Sequence, residues 1–192
     1  MDKRKEANLR VRRQITDTLF ALMQKKSLSE ITVSEIVKGA GVARASFYRN
    51  YCSKEDVLVM LIRDVLDDFR SKLSPGQESF YTYENILLSF RYFHAYRTYL
   101  LDLYHSGFLS VVLEELNQFH ESIEGTMPSS SIEKYQLYMY IGALCNTAME
   151  WLLERDSATP EEMAQFFFRA IPSIPPPSGI RGGSSPSPDR TC

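Results

Sequence analysis

Twenty consecutive residues, TVSEIVKGAGVARASFYRNY at 32–51, hold a helix start, a chain reversal and a second short helix, and this constrains the fold more than any other stretch. Thr32 with Glu35 has the spacing of a capping box, in which each side chain satisfies a free backbone N–H of the helix start. Val33, Ile36, Val37 and Ala40 then recur on one helical face. Gly41 supplies the reversal, since glycine enters left-handed backbone without penalty. In ARASFYRNY, Phe47 and Tyr51 stand four apart on the inner side of a short helix. Its outward side carries Arg44, Ser46, Tyr48, Arg49 and Asn50, which are the exposed hydrogen-bonding groups a major-groove reader needs. The layout over about 31–50 is that of a helix-turn-helix, with the small Ala40 and Gly41 where the two helices pack.

The flanks extend the helical pattern. Val11, Ile15, Leu19 and Leu22 predict a first helix from about Glu6 to Gln24. Ser53 with Asp56 opens a long helix read from Leu58, Leu61, Ile62, Val65, Leu66 and Phe69, and SPGQ at 74–77 breaks it. Further helices are predicted at about 81–93, 96–105, 108–123, 131–155 and 160–170, set off by Gly107, by Pro128 with Ser129 to Ser131, and by Thr159 before Pro160. Alternating apolar and polar runs are missing, so the chain reads as all-α, with a first domain over 8–68 and a second over 75–171. The segment 172–192, rich in Pro, Gly and Ser, reads as a disordered tail.

Charge divides the chain. Residues 1–55 hold 12 Lys and Arg against 6 Asp and Glu, a balance of +6, whereas 56–192 hold 10 against 18, a balance of −8. A basic segment on an otherwise acidic chain is the footprint of phosphate neutralisation. No stretch has the length and apolarity of a membrane span and the N-terminus lacks a signal-peptide core, so the expectation is a cytoplasmic protein without membrane contact. Cys52, Cys145 and Cys192 lack metal-ligand spacing, and His94, His105 and His120 lack the i, i+4 spacing that pairs ligands on a helix. With no nucleophile motif, phosphate loop or paired carboxylates, the expectation is no metal, no cofactor and no enzyme activity.

From Asn8 to about Asp68 the chain resembles the DNA-binding domain of TetR/AcrR-type regulators. The likeness rests on Ile31-Thr32-Val33, Ala40-Gly41-Val42, Phe47-Tyr48 and Ser53-Lys54-Glu55. Two departures are Ala43, where the family usually places a Ser or Thr cap worth about 1 kcal/mol, and Cys52 in the next turn. The resemblance implies that Arg44 and Ala45 face base edges, Arg44 bidentate to guanine and Ala45 against a thymine methyl. It implies phosphate contacts by Thr32, Val33, Tyr48 and Lys54, either role for Ser46 and Asn50, and a basic arm of Arg4, Lys5 and Arg10.

For the second domain, Tyr135 through Met149 carries no formal charge and is apolar on more than one face, so this helix must be buried on several sides. The resemblance implies that the long helix joins the N-terminal three-helix helix-turn-helix domain to a C-terminal helical domain for ligand binding and dimerisation. It further implies a homodimer through the last two helices, with Gly142 and Ala143 allowing close approach and Met149, Trp151, Phe166 and Phe167 supplying area. The helices before them would enclose a pocket for an apolar or aromatic small-molecule effector. Phe90, Phe93, Tyr99 and Tyr104 are expected in its wall, with His94, His105, Tyr138 and Cys145 beside them. The function implied is a repressor that binds a palindromic double-stranded DNA operator and is released by the effector. The alternative is the same architecture acting as co-activator or repressor through a protein partner, without a small molecule.

Overall fold

The computed structural model describes residues 3–73, 80–124, 132–154 and 158–171, and the regular elements among them are all helical. The four N-terminal α-helices are α1 (Lys3–Met23), α2 (Val33–Ala40), α3 (Arg44–Asn50) and α4 (Lys54–Lys72), with one 3-10 turn at Leu28–Glu30. Five more follow: α5 (Tyr83–Ala95), α6 (Arg97–His105), α7 (Leu109–Glu124), α8 (Ile132–Leu153) and α9 (Pro160–Ala170). The expected breakers at 74–77 and 128–131 and the tail at 172–192 lie outside the described residues.

Side-chain caps set the starts of α2, α4, α5 and α9. The Thr32 hydroxyl accepts the Glu35 N–H at 3.3 Å while Glu35 Oε2 accepts the Thr32 N–H at 2.9 Å. Ser53 caps α4 by accepting the Asp56 N–H at 3.2 Å. Thr159 and Glu162 form a second full box, with Pro160 at the first helical position of α9.

Two apolar clusters form. Ile15, Leu19, Phe20, Leu28, Ile31, Ile36, Phe47, Tyr51, Val57 and Leu58 bind α1–α4 together, and Leu103 from α6 and Val112 from α7 insert into the same cluster. Phe69, Phe80, Ile86, Phe90, Phe93, Phe119 and the inner face of α8 and α9 make the second. The long α4 belongs to both. It is clamped to α7 by a bidentate Arg63–Glu115 pair at 2.7 and 2.9 Å and by Arg70 to Ser122, and to α1 by Arg12–Asp64 at 2.6 Å.

On α8, Leu137, Tyr140, Ile141, Leu144, Ala148, Met149, Trp151 and Leu152 face inward, whereas Ile132, Tyr135 and Met139 stay about 60% exposed or more, at 66, 61 and 58%. Of the residues expected at a dimer interface, Met149, Trp151 and Phe167 are therefore core residues of the protomer. Trp151 Nε1 donates to the Ala158 carbonyl at 2.7 Å, and Phe90 lies edge-on to both Trp151 and Phe167. Packing decides this: Met149 and Trp151 lie on α8, which α5, α6 and α7 cover, and Phe167 lies on α9, which packs along α5. Gly142 and Ala143 are half-buried and Phe166 is exposed.

His120 is buried on α7 against Phe80, its Nδ1 hydrogen-bonded to the Leu116 carbonyl at 2.7 Å, and burial lowers its pKa to about 4. The unfolded chain binds a proton there near pH 6.5 and the folded chain does not, so stability is lost as pH falls from about 6.5 to about 4. The full loss is about 3 kcal/mol. Thermal denaturation across that window is expected to show a smaller acid shift in His120→Leu than in the parent; equal shifts would assign the acid sensitivity elsewhere.

Candidate nucleic-acid interface and adjoining cavity

Two glycines shape the helix-turn-helix. Gly41 ends α2 at φ 64, ψ 31, donating its N–H to the Val37 and Lys38 carbonyls, and Val42 N–H also returns to Val37 at 3.1 Å. Gly39 makes the close approach. A Cβ there would stand 2.7 Å from the Thr18 methyl of α1. The role expected of Ala40 and Gly41 is thus divided: Gly41 turns the chain, Ala40 is buried, and Gly39 lets α1 and α2 touch. Its place one helical turn from Ile36 gave no sequence signal, since only the crossing with α1 makes it special.

Ala43 precedes α3 at the cap position, with extended backbone and no side chain to cap the helix. Ala43→Ser is expected to stabilise the fold by about 1 kcal/mol, read as a rise in Tm of about 2–4 °C for a chain of this size. No rise would mean that the N–H groups of α3 are already satisfied by water.

Phe47 is fully buried and packs against Tyr51, so α3 turns Arg44, Ala45, Tyr48 and Arg49 to solvent. Arg44 is held in place on that face. Its Nη1 donates to the Ser34 hydroxyl of α2 at 3.0 Å, its Nη2 donates to the Tyr48 hydroxyl at 3.1 Å, and the guanidinium lies 5.4 Å from the Tyr48 ring centre. Ser46 is half-buried. Asn50 is structural at both ends, its Oδ1 accepting from Asn8 of α1 at 2.9 Å and its Nδ2 donating to the Ser46 carbonyl at 2.8 Å.

Thr32 is exposed, but its hydroxyl is taken up by Glu35, to which it donates at 2.8 Å. Lys26 and then Thr32 hold that carboxyl down to about 2. Val33, half-buried, offers the free N–H of a helix start. Arg4, Lys5 and Arg10 lie within α1, so the expected basic arm is helix here.

Lys54 differs most from expectation. Its ammonium donates to the carbonyls of Leu28, Ser29 and Ile31 at 2.5, 3.1 and 2.7 Å, closing the end of the 3-10 turn with all three protons. Lys54→Met is expected to cost about 2 kcal/mol of stability and to leave the salt dependence of DNA binding unchanged. A shallower salt slope at unchanged Tm would restore a phosphate role.

Behind this unit, between α4 and α5–α8, lies an apolar cavity of about 90 Å³. Leu61, Ile62, Val65, Leu66 and Phe69 of α4 form one wall, and Tyr92, Phe93, Tyr96, Tyr99, Leu100 and Leu103 of α5 and α6 the facing one. Four of its polar side chains are bonded to the protein: Ser89 to the Asn85 carbonyl, His120 to Leu116, the Tyr92 hydroxyl to Asp68, and the Tyr99 hydroxyl to Asp17 at 3.0 Å.

Of the residues expected around a pocket, Phe93 and Tyr99 line this cavity. Phe90 fills the core, and Cys145 is buried with its thiol pushed up to about 11 by desolvation. His94 stacks on Trp151, and Tyr104 and Tyr138 are exposed, Tyr138 donating to Glu121. His105 borders a separate open cleft of about 740 Å³, together with Gln24, Glu55 and Asp102. His120 is the histidine in the cavity wall; its signal was its place beside Phe119 on the Val112–Leu116–Phe119 stripe. Among the described residues no cluster of His, Cys, Asp and Glu fits a metal ion, and no helix is long and apolar enough to cross a membrane.

Residues 15–61 match the family model described as bacterial regulatory proteins, tetR family. Over 65 residues, 34% of the chain, the sequence is 44% identical to the HTH-type transcriptional regulator EthR of Mycolicibacterium smegmatis, and the match spans 30% of that relative's length. A TetR transcriptional regulator from Streptococcus agalactiae 2603V shares the fold at a TM-score of 0.60 and 20% identity, over 88% of this chain and 97% of that one. The fatty acid degradation regulator FadR from Bacillus halodurans does so at 0.54 and 18%, over 89% and 96%.

Proposed function

We propose that this chain, whose residues 15–61 match the tetR-family model, is a TetR-type regulator that acts as a homodimeric, operator-binding repressor released by an apolar effector. The observation that carries the DNA-binding part is the outer face of α3, where Arg44 is fixed across α2 and α3 while Ala45, Tyr48 and Arg49 stand free of the core. An α-helix with that face fits the major groove, Arg44 reading a base edge and Tyr48 with the Val33 N–H holding phosphates.

Dimerisation is supported by Ile132, Tyr135 and Met139, an exposed stripe at i, i+3, i+7 on α8 with the half-buried Gly142 one turn further, and by the exposed Phe166 of α9. An apolar patch of that kind is costly to leave in water. A two-fold dimer presents one recognition helix to each half-site of a palindrome.

The effector part rests on the cavity. At about 90 Å³ it is smaller than the roughly 300 Å³ or more of a drug-sized site. A ligand must therefore part α4 from α5 and α6, and a ligand that does so favours a second arrangement of the dimer. The wall chemistry favours hydrocarbon or aromatic groups. The small volume also supports the alternative, a regulator answering to a protein partner.

Selection of random duplex DNA on the purified chain, then release from the recovered site by a panel of uncharged hydrocarbons, tests both parts. A palindromic site released by a member of the panel supports the proposal. Weak binding without sequence preference refutes operator binding, and a palindrome that nothing in the panel releases moves the partner reading ahead.

A further inference from the structure

Tyr99 is a wall residue of the cavity, yet two of its contacts belong to the N-terminal bundle. Its ring meets Phe20 of α1 edge-on at 4.6 Å between centroids and 79° between planes. Its hydroxyl donates to Asp17 of the same helix at 3.0 Å. Phe20 is buried in the core that seats α2 and α3, and Asp17 adjoins Thr18, the residue that Gly39 of α2 touches so closely that no Cβ fits between them. Along α1 toward its start, Asn8 is bonded to Asn50 of α3. One helix thus runs from the cavity wall to both halves of the helix-turn-helix.

The other wall offers a stiffer route. α4 lines the cavity with Leu61 and Ile62, but Arg12–Asp64 on one side and Arg63–Glu115 with Arg70–Ser122 on the other hold it between α1 and α7. Tyr99 is half-buried and held to α1 by a single side-chain hydrogen bond. It sits in a row with Tyr92 and Tyr96 along the face of α5 and α6 that looks at α4, Tyr92 stacked on Tyr96 at 6.1 Å and Tyr96 tilted by 40° against Tyr99 at 6.4 Å. An occupant that widens the cavity displaces this row, and displacement of Tyr99 pulls on Asp17 and Phe20 together.

We infer that Tyr99 is the positioning residue that carries occupancy of the cavity into α1, and through α1 into α2 and α3. This rests on reading the cavity as the effector site. The coupling is a chain of contacts in which each link is a named bond or packed ring, and removing one bond leaves the ring and the cavity in place.

Benzene is the probe, because it enters apolar cavities without needing a polar partner and the cavities known to take it, at about 150 Å³, are larger than this one, so its entry parts the walls. The full chain is labelled for NMR and equilibrated with benzene, with the Leu103 and Val112 methyls reporting filling and the α1 amides at 16–20 reporting transmission. In the parent both sets are expected to shift. In Tyr99→Phe the methyl shifts persist and the α1 shifts fall by about half or more, with Asp17→Ala giving the same loss from the other side of the bond.

Equal α1 shifts in the parent and Tyr99→Phe would overturn the assignment in favour of α4. Methyl shifts with silent α1 amides in the parent would overturn it too, as would silent methyls. The readout uses no DNA, so a chain that fails to recognise an operator fails the functional reading separately from this one.

Discussion

With Tyr135→Glu and Met139→Glu combined, the protein is expected to sediment as a monomer and to lose operator affinity by about 100-fold or more, because one recognition helix then binds one half-site. Both side chains are more than half exposed in the protomer, so the substitutions remove nothing from its core. In a two-fold interface each substitution counts twice. Burying a large apolar side chain contributes about 1.5–3 kcal/mol, and an unpaired carboxylate forced into the same apolar contact costs several kcal/mol more. An unchanged far-UV circular dichroism spectrum would show that the helices survive. A dimer that persists with full operator affinity would place the interface elsewhere than the Ile132–Tyr135–Met139 stripe.

The second large effect is expected at Arg44. Arg44→Ala should lower discrimination at one position of each half-site by about 10- to 100-fold, the 1–3 kcal/mol that a bidentate contact to guanine contributes. Arg44 is exposed and its partners are the hydroxyls of Ser34 and Tyr48, so the fold loses little. Arg44→Lys should not restore the preference, since an ammonium lacks the planar pair of donors that matches a guanine edge. Tyr48→Phe removes one of the bonds that fix the guanidinium and should give a milder loss of preference, together with a uniform loss of affinity from its own phosphate contact. Profiles of base preference measured for each variant decide this. Uniform loss across all sequences in Arg44→Ala would make the residue a phosphate contact and leave the base-reading role to another part of α3.

The helix-turn-helix was legible because its instructions are short-range. Thr32 and Glu35 meet across one helical turn, Gly41 has no Cβ to oppose its turn, and Phe47 with Tyr51 set the inner side of α3 and hence its outer one. The residues that departed from expectation around it are those whose partners lie far along the chain. Lys54 looked like a cation at a helix start and finds carbonyls 23 to 26 residues away; Asn50 looked free and finds Asn8, 42 residues away. The second half was legible as helices and much less so as a site. Aromatic density predicted a pocket, yet whether Phe90 or Phe93, His94 or His120 reaches a cavity depends on how α5 and α7 are rotated about their axes.

The sequence by itself determined the all-helical class, the caps, the turn and the outward face of α3, because each of these is settled between residues within one or two helical turns of each other. The tertiary structure alone decided that Gly39 is the point of contact between α1 and α2, that Met149, Trp151 and Phe167 serve the core while Tyr135 and Met139 remain outside, and that Tyr99 lies across from Asp17, 82 residues away. A helix's periodicity states that it has an apolar side. The crossing of its neighbours determines which part of that side is covered within the protomer and which is left for a partner or a ligand.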